Sequence, residues 1–230
     1  MQSAIVPSPR AHGPLSVLLL GMTVVTGLVD AFSYLSLGHV FVANMTGNVV
    51  FLGFGLSGVG GIAITTSLVA IVAFMVGAAV GGRWAIHRDL HRGHLLVAAA
   101  VIEAALVVVA ALVAQTAGVN GSATPLVLVS LLAVAMGGQN AIARRLSVPD
   151  RTTTVLTLTV TGLVADATSW SVRIRRLVPV VAMLGGALAG GVLLRWVSTP
   201  APLWVATAML ASCAEIAHAA TRRPQSDVWR

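Results

Sequence analysis

Long apolar runs alternate along the chain with short polar ones. Six runs, of about 20 residues each, are long enough to cross a hydrocarbon core as helices. They cover 14–36, 61–82, 94–117, 124–143, 177–197 and 202–221. Two further apolar stretches, 40–58 and 152–169, are shorter or more polar. The first carries Gly47, Gly53, Gly55 and Gly58; the second carries Thr152, Thr153, Thr154, Thr157, Thr159 and Thr161. If both cross, the chain has eight spans; if neither does, it has six. The run that begins at Pro14 is too long for the apolar core of a signal peptide and contains Asp30, so it reads as a retained first span.

Charge placement separates the two counts. All 14 basic residues are arginine. With six crossings and an inside N-terminus, 13 arginines fall on the cytoplasmic side and only Arg195 falls outside. With eight crossings the split is 7 to 7. The positive-inside bias of membrane proteins prefers six, with both termini cytoplasmic. In that plan 40–58 and 152–169 enter and leave on one side.

Composition agrees. The chain is 57% hydrophobic and 9% charged, with mean hydropathy +0.93. A soluble domain carries about 25% charged residues. The single cysteine, Cys213, excludes an internal disulfide. The net charge of +7 does not point to nucleic acid, because the arginines lie between apolar segments rather than on one basic face. The predicted partners are the bilayer and a small polar solute or ion, and a homo-oligomer stays open.

The two halves of the chain match in order. Gly27-Leu28-Val29-Asp30-Ala31 corresponds to Gly137-Gly138-Gln139-Asn140-Ala141, an offset of 110. Thr46-Gly47-Asn48 corresponds to Thr157-Leu158-Thr159, an offset of 111. Arg83-Trp84 corresponds to Arg195-Trp196 and Glu103 to Glu215, both at 112. Each unit is then a span, a re-entrant segment and two spans. Three crossings per unit is odd, so the second unit is inverted relative to the first. The expected fold is all-α and polytopic: six transmembrane helices, two half-helix segments and a 3+3 inverted repeat. Repeat 1 covers 14–117 and repeat 2 covers 124–221, joined by an extracytoplasmic linker at 118–123, with cytoplasmic tails at 1–13 and 222–230. Transporters commonly use this plan, with the site between the repeats.

At this point the residues resemble a known family. Asp30-Ala31-Phe32-Ser33-Tyr34, followed by Phe41-Val42-Ala43-Asn44-Met45-Thr46-Gly47-Asn48, resembles the YoaK family, also called DUF1275. Gly138-Gln139-Asn140-Ala141 before a threonine run resembles that family's second signature. The resemblance covers about Leu15 to Ala220 and implies a bacterial integral membrane protein with about six spans and no established activity; the expected location is the inner membrane. One position departs from it: Leu158 follows Thr157 where the family pattern leads one to expect glycine.

The candidate path residues are Asp30, Thr46, Gly47, Asn48, Glu103, Gln139, Asn140 and Thr157. A carboxylate inside a span is costly and should face protein or water. Asp30 is therefore either a cation, proton or substrate contact or a hydrogen-bond hub for the re-entrant turn, accepting from Thr46, Asn48 or nearby N–H groups. Its mate Asn140 keeps the shape without the charge. Thr46-Gly47-Asn48 would open a half-helix, its polar side chains capping backbone N–H groups that otherwise attract anions. Those caps also serve a purely structural end, since lipid leaves no backbone group unpaired. Glu103 lies near mid-depth, and inverted repeats would bring it and Glu215 toward one interface. Glu215 also has a plainer reading, paired with His218 or Arg222 at a span end. Arg83-Trp84 and Arg195-Trp196 read as interfacial anchors.

Gly77–Gly81 and Gly186–Gly190 are GxxxG patterns suited to close helix packing. Gly53-Phe54-Gly55-Leu56-Ser57-Gly58 matches GxGxxG, but no strand precedes it, so it carries no dinucleotide reading. His87, His91 and His94 belong to a basic loop rather than a metal site. No enzyme activity, cofactor or metal is expected. The expected function is transport or conduction of a small solute, and the alternative is a non-transporting scaffold or subunit.

Overall fold

The computed structural model describes residues 13–58, 64–87, 92–146, 161 and 170–222. Seven helices fill these stretches: α1 (Gly13–Ser36), α2 (Met45–Leu56), α3 (Ile64–His87), α4 (Arg92–Ala117), α5 (Thr124–Leu146), α6 (Trp170–Trp196) and α7 (Ala201–Thr221). Six of them are long and apolar enough to span a membrane, and α2 is not. At 12 residues α2 is about 18 Å long, against a hydrocarbon core of about 30 Å. The 40–58 stretch thus forms a half-helix. The matching segment 152–169, with Thr157, lies outside the described residues except for Thr161.

Several helices outrun the apolar windows. Helix α3 continues through Arg83 to His87, α5 through Arg144 and Arg145, and α6 begins before Arg173. Arginine stems can lie along the end of an apolar span while the guanidinium reaches the headgroups, so charge does not end the helix. Helix α6 also carries Pro179 inside it.

Helix α1 ends where Gly38 adopts φ +91° and His39 φ +60°. The backbone N–H of Leu37 bonds to Ser33 O at 2.9 Å, and that of His39 to Tyr34 O at 3.1 Å. This tight stop folds 40–44 back beside α1 and starts α2. Aromatic rings hold the return: Tyr34 stacks on Phe41 at 4.9 Å, and Phe41 on Phe51 at 5.8 Å.

Packing pairs helices across the two halves. Helix α3 lies along α5, and α1 along α6. Helix α4 packs on α5 and α7, and α7 on α1. Exchanging α1 with α5, α3 with α6 and α4 with α7 reproduces these five pairs but not the weaker α6–α7 contact. The glycines follow the same exchange. A side chain at Gly77 would run into the Val134 backbone, and one at Gly137 into that of Phe74 and Ala78. A side chain at Gly186 would meet the Val24 backbone, and one at Gly27 that of Met183 and Ala187. The GxxxG pairs are therefore helix contacts inside the chain, α3 on α5 and α6 on α1.

The interior divides into two apolar clusters. One contains Val25, Val107, Leu132, Met136 and Leu210. The other contains Leu19, Met22, Leu96, Ala99, Ile142 and Ala217. Along α1, α4, α5 and α7 the polar or polarizable residues Thr23, Glu103, Gln139 and Cys213 fall between the two.

Candidate functional site

Two groups of polar residues emerge, separated along α1. The first surrounds Asp30, which is 4% exposed. Its Oδ1 accepts from the backbone N–H of Val42 at 3.0 Å and of Ala43 at 2.9 Å. Asn48, wholly buried, works on the residue before. Its Oδ1 accepts from Phe41 N–H at 2.9 Å, and its Nδ2 donates to Phe41 O. Asp30 and Asn48 thus satisfy four backbone groups of the 41–43 turn, which no regular structure pairs. The carboxylate also sits just ahead of the α2 N-terminus, where the helix dipole favours negative charge.

Thr46 does not join this cluster: it is exposed and already in the first turn of α2. The position before the helix is Asn44, whose side chain makes no capping bond. The expected caps by Thr46 and Asn48 are therefore replaced by Asn48 reaching back to Phe41. Gly47 lies against the Phe41 ring, where a Cβ would come within 2.8 Å of Phe41 Cδ2.

The second group surrounds Glu103, 2% exposed and among the largest fully buried side chains. Neither of its carboxylate oxygens has a hydrogen-bond partner. Glu103 and Gln139 line one cavity of about 210 Å³ formed by α3, α4 and α5. Its other walls include Gly77, Val80, Gly81, Trp84, Ala99, Ile102 and Ile142. Gln139 Nε2 donates to Met22 O of α1 at 3.3 Å, while its Oε1 is buried without a partner. The neighbouring threonines close their own needs locally: Thr23 donates to Leu19 O at 2.9 Å and Thr26 to Met22 O at 3.0 Å. Among the described residues, Glu103 and Gln139 are the groups in this layer with buried oxygens that have no partner.

Two expected placements change. Glu103 and Glu215 do not share an interface, although α4 and α7 pack together, because Glu215 is exposed. Cys213 of α7 lies within electrostatic reach of Glu103. Glu215 is two residues further on, about 200° around the helix, and so faces away. Trp84 is not only an interfacial anchor, since it is half-buried and lines the Glu103 cavity. Trp196 keeps the anchor geometry, 73% exposed with Arg195 over its ring at 5.2 Å. Asn140 Nδ2 donates to Met136 O at 2.9 Å on its own helix. It is also absent from the walls of the Glu103 cavity. His91 lies outside the described residues, while His87 ends α3 and His94 lies in the first turn of α4.

The residues that sequence reasoning missed are Thr23, Thr26 and Cys213. Their signal was available only in part. Thr23 and Thr26 are three apart and share a face of α1, but nothing along the chain says that this face meets Gln139.

Six apolar helices of spanning length, a half-helix tied down by an intramembrane aspartate and a second buried carboxylate at mid-depth define a polytopic α-helical membrane protein. The family described as "protein of unknown function (DUF1275)" matches residues 18–216, and the chain belongs to it. It is 33% identical over 153 residues to the UPF0700 transmembrane protein YoaK of Bacillus subtilis (strain 168), a match covering 66% of each chain. No solved structure matches it.

Proposed function

We propose that the protein moves a small polar or cationic solute across a bacterial inner membrane, through a site on the Glu103 side of the bundle. The observation that carries this is Glu103 itself. It is a carboxylate at mid-depth, with both oxygens unpartnered, lining a cavity beside the open oxygen of Gln139. An unpaired charge in hydrocarbon is expensive, and one kept there marks an ion or substrate path. The scaffold is read as a 3+3 inverted repeat with both termini cytoplasmic. The exchange-symmetric packing and the paired glycine contacts support the repeat. The odd number of spans per half supports the inversion, and the arginine distribution the orientation.

Flux in proteoliposomes tests the proposal. With an imposed potential and a pH-sensitive dye inside, the protein should raise proton or cation flux, and Glu103→Gln should remove the increment at equal reconstitution. Equal flux through the wild type and Glu103→Gln would sink it. The non-transporting alternative draws on the Asp30 side, where Asp30 Oδ1 and the Asn48 amide are turned inward to the chain's own backbone while Asp30 Oδ2 is buried without a partner.

A further inference from the structure

We propose that the Glu103 cavity binds a protonated primary amine carrying a short apolar body, and that this ligand enters sideways from the lipid. The assignment rests on reading the cavity as the solute site. Among its lining side chains, three buried acceptor oxygens lack partners: two of Glu103 and one of Gln139. Gln139 Nε2 spends one of its two N–H groups on Met22 O, so the unpartnered oxygens outnumber the one amide N–H left, and the complementary ligand supplies donors and positive charge. An ammonium head has three donors and no acceptor. It would satisfy acceptors of this kind and offset the cost of a buried, unpaired carboxylate. A metal cation fits less well, because hard cations take six or more oxygens.

The remaining walls fix the body. Ala99, Leu106, Val134 and Ile142 offer only apolar surface, and Trp84 adds an aromatic face. The volume is about 210 Å³. A dry cavity of about 150 Å³ holds benzene, so this one holds about eight non-hydrogen atoms. Benzylamine has that size.

The route follows from exposure. Val80 is 64% exposed and Ile102 52%, yet both line the cavity. Both sit within spans, so their outer faces meet lipid. Helices α3 and α4 are consecutive in the chain but are not a closely packed pair. The cavity therefore has a lateral mouth between them. Glu103 lies ten residues into the Gly93–Ala117 span, about 15 Å deep. A lipid headgroup amine, held at the interface, does not reach that depth, which selects a free amine.

The test is equilibrium binding of labelled benzylamine to the full chain in phosphatidylcholine nanodiscs, with empty nanodiscs subtracted. One saturable site is expected, at least tenfold tighter for benzylamine than for benzyl alcohol, which has the same body without the charge. Glu103→Gln should weaken benzylamine at least tenfold. Ile102→Trp, which fills the mouth from the lipid side and leaves Glu103 in place, should also weaken it or slow its entry several-fold. Absence of saturation, equal affinity for the alcohol, or unchanged binding in Glu103→Gln would overturn the proposal. If Glu103→Gln does not fold, unaltered binding and entry in Ile102→Trp does so instead. Glu103-dependent amine binding without flux would sustain this assignment while refuting transport. Glu103-dependent flux without amine binding would refute this assignment alone.

Discussion

Replacing Asp30 by alanine should loosen the 41–43 turn far more than replacing it by asparagine. Asp30 Oδ1 is the acceptor for two backbone donors, Val42 N–H at 3.0 Å and Ala43 N–H at 2.9 Å. Alanine leaves both without it, at about 1–3 kcal/mol for each buried donor, or about 2–6 kcal/mol together. Asparagine keeps an oxygen in the same place. Its neutral bonds are each weaker by about 1 kcal/mol than charge-assisted ones. Against that, a buried charge is removed, so the net change should stay within about 1–2 kcal/mol. Amide hydrogen exchange in detergent micelles reads the difference directly. Since about 1.4 kcal/mol is a factor of ten, Asp30→Ala should speed exchange at Val42 and Ala43 by at least about 30-fold. Thermal unfolding should fall in the same order, alanine below asparagine below wild type. If asparagine proves as damaging as alanine, the charge and not the acceptor position is what the turn needs. If alanine leaves both amides protected, Asp30 does not hold the turn and its burial requires another reason.

Two other outcomes follow from packing and charge. Gly186→Ala drives a Cβ into the Val24 backbone and should destabilise the protein by about 1–3 kcal/mol, whereas Gly185→Ala next to it meets nothing within 4 Å and should be neutral or slightly stabilising; paired melting curves distinguish them. In a Cys213→Ala background, a cysteine placed at His39 should label from outside and one at Arg173 only from inside; outside labelling at Arg173 would end the six-crossing plan.

Much of this fold was legible because the membrane removes choices. With no water at depth, spanning backbone must be helical, so apolar length alone places six helices. The half-helix was legible too, because Gly47 and its neighbours shorten the apolar run after a stop at Gly38 and His39. The Asp30 cluster was readable as a hub, but not its partners. Backbone N–H groups have no letter in a sequence, so Val42 and Ala43 could not be singled out over Thr46. The Glu103 cavity was harder still. Glu103 and Gln139 are 36 residues apart, on helices whose contact depends on which face of α4 meets α5. The repeat pointed to Glu215 instead, because sequence offset records position along a helix and not rotation about it. A register two residues different turns a side chain from the interior to the lipid, and Cys213 occupies the inner face that Glu215 lacks.

That rotation is the key to the asymmetry of the molecule. The glycine packing is duplicated: the Gly77 and Gly137 contacts of α3 with α5 recur as those of Gly186 and Gly27 between α6 and α1. The polar content is not. Asp30 answers in sequence to Asn140, which carries no charge. Glu103, buried, answers to Glu215, exposed. Gln139 answers to Val29, wholly buried among apolar neighbours. A symmetric scaffold can give two equivalent packings of its halves, which is what alternating access across a fixed centre requires. On the proposed transport reading, a site with a single carboxylate, Glu103 of the first half beside Gln139 of the second, would give that motion a single cargo position. On the proposed transport reading the glycine contacts of α3 with α5 and of α6 with α1 would be the surfaces that slide, since smooth backbone contacts let helices shift without side chains interlocking. Glu103 belongs to neither sliding pair: it lies on α4, beside the α3–α5 contact and open to what that contact uncovers. Bulk added at Gly77 or Gly81 would therefore act on the cavity as well as on stability, while bulk at Gly186 or Gly190 would act on stability and on the motion but leave the cavity walls intact.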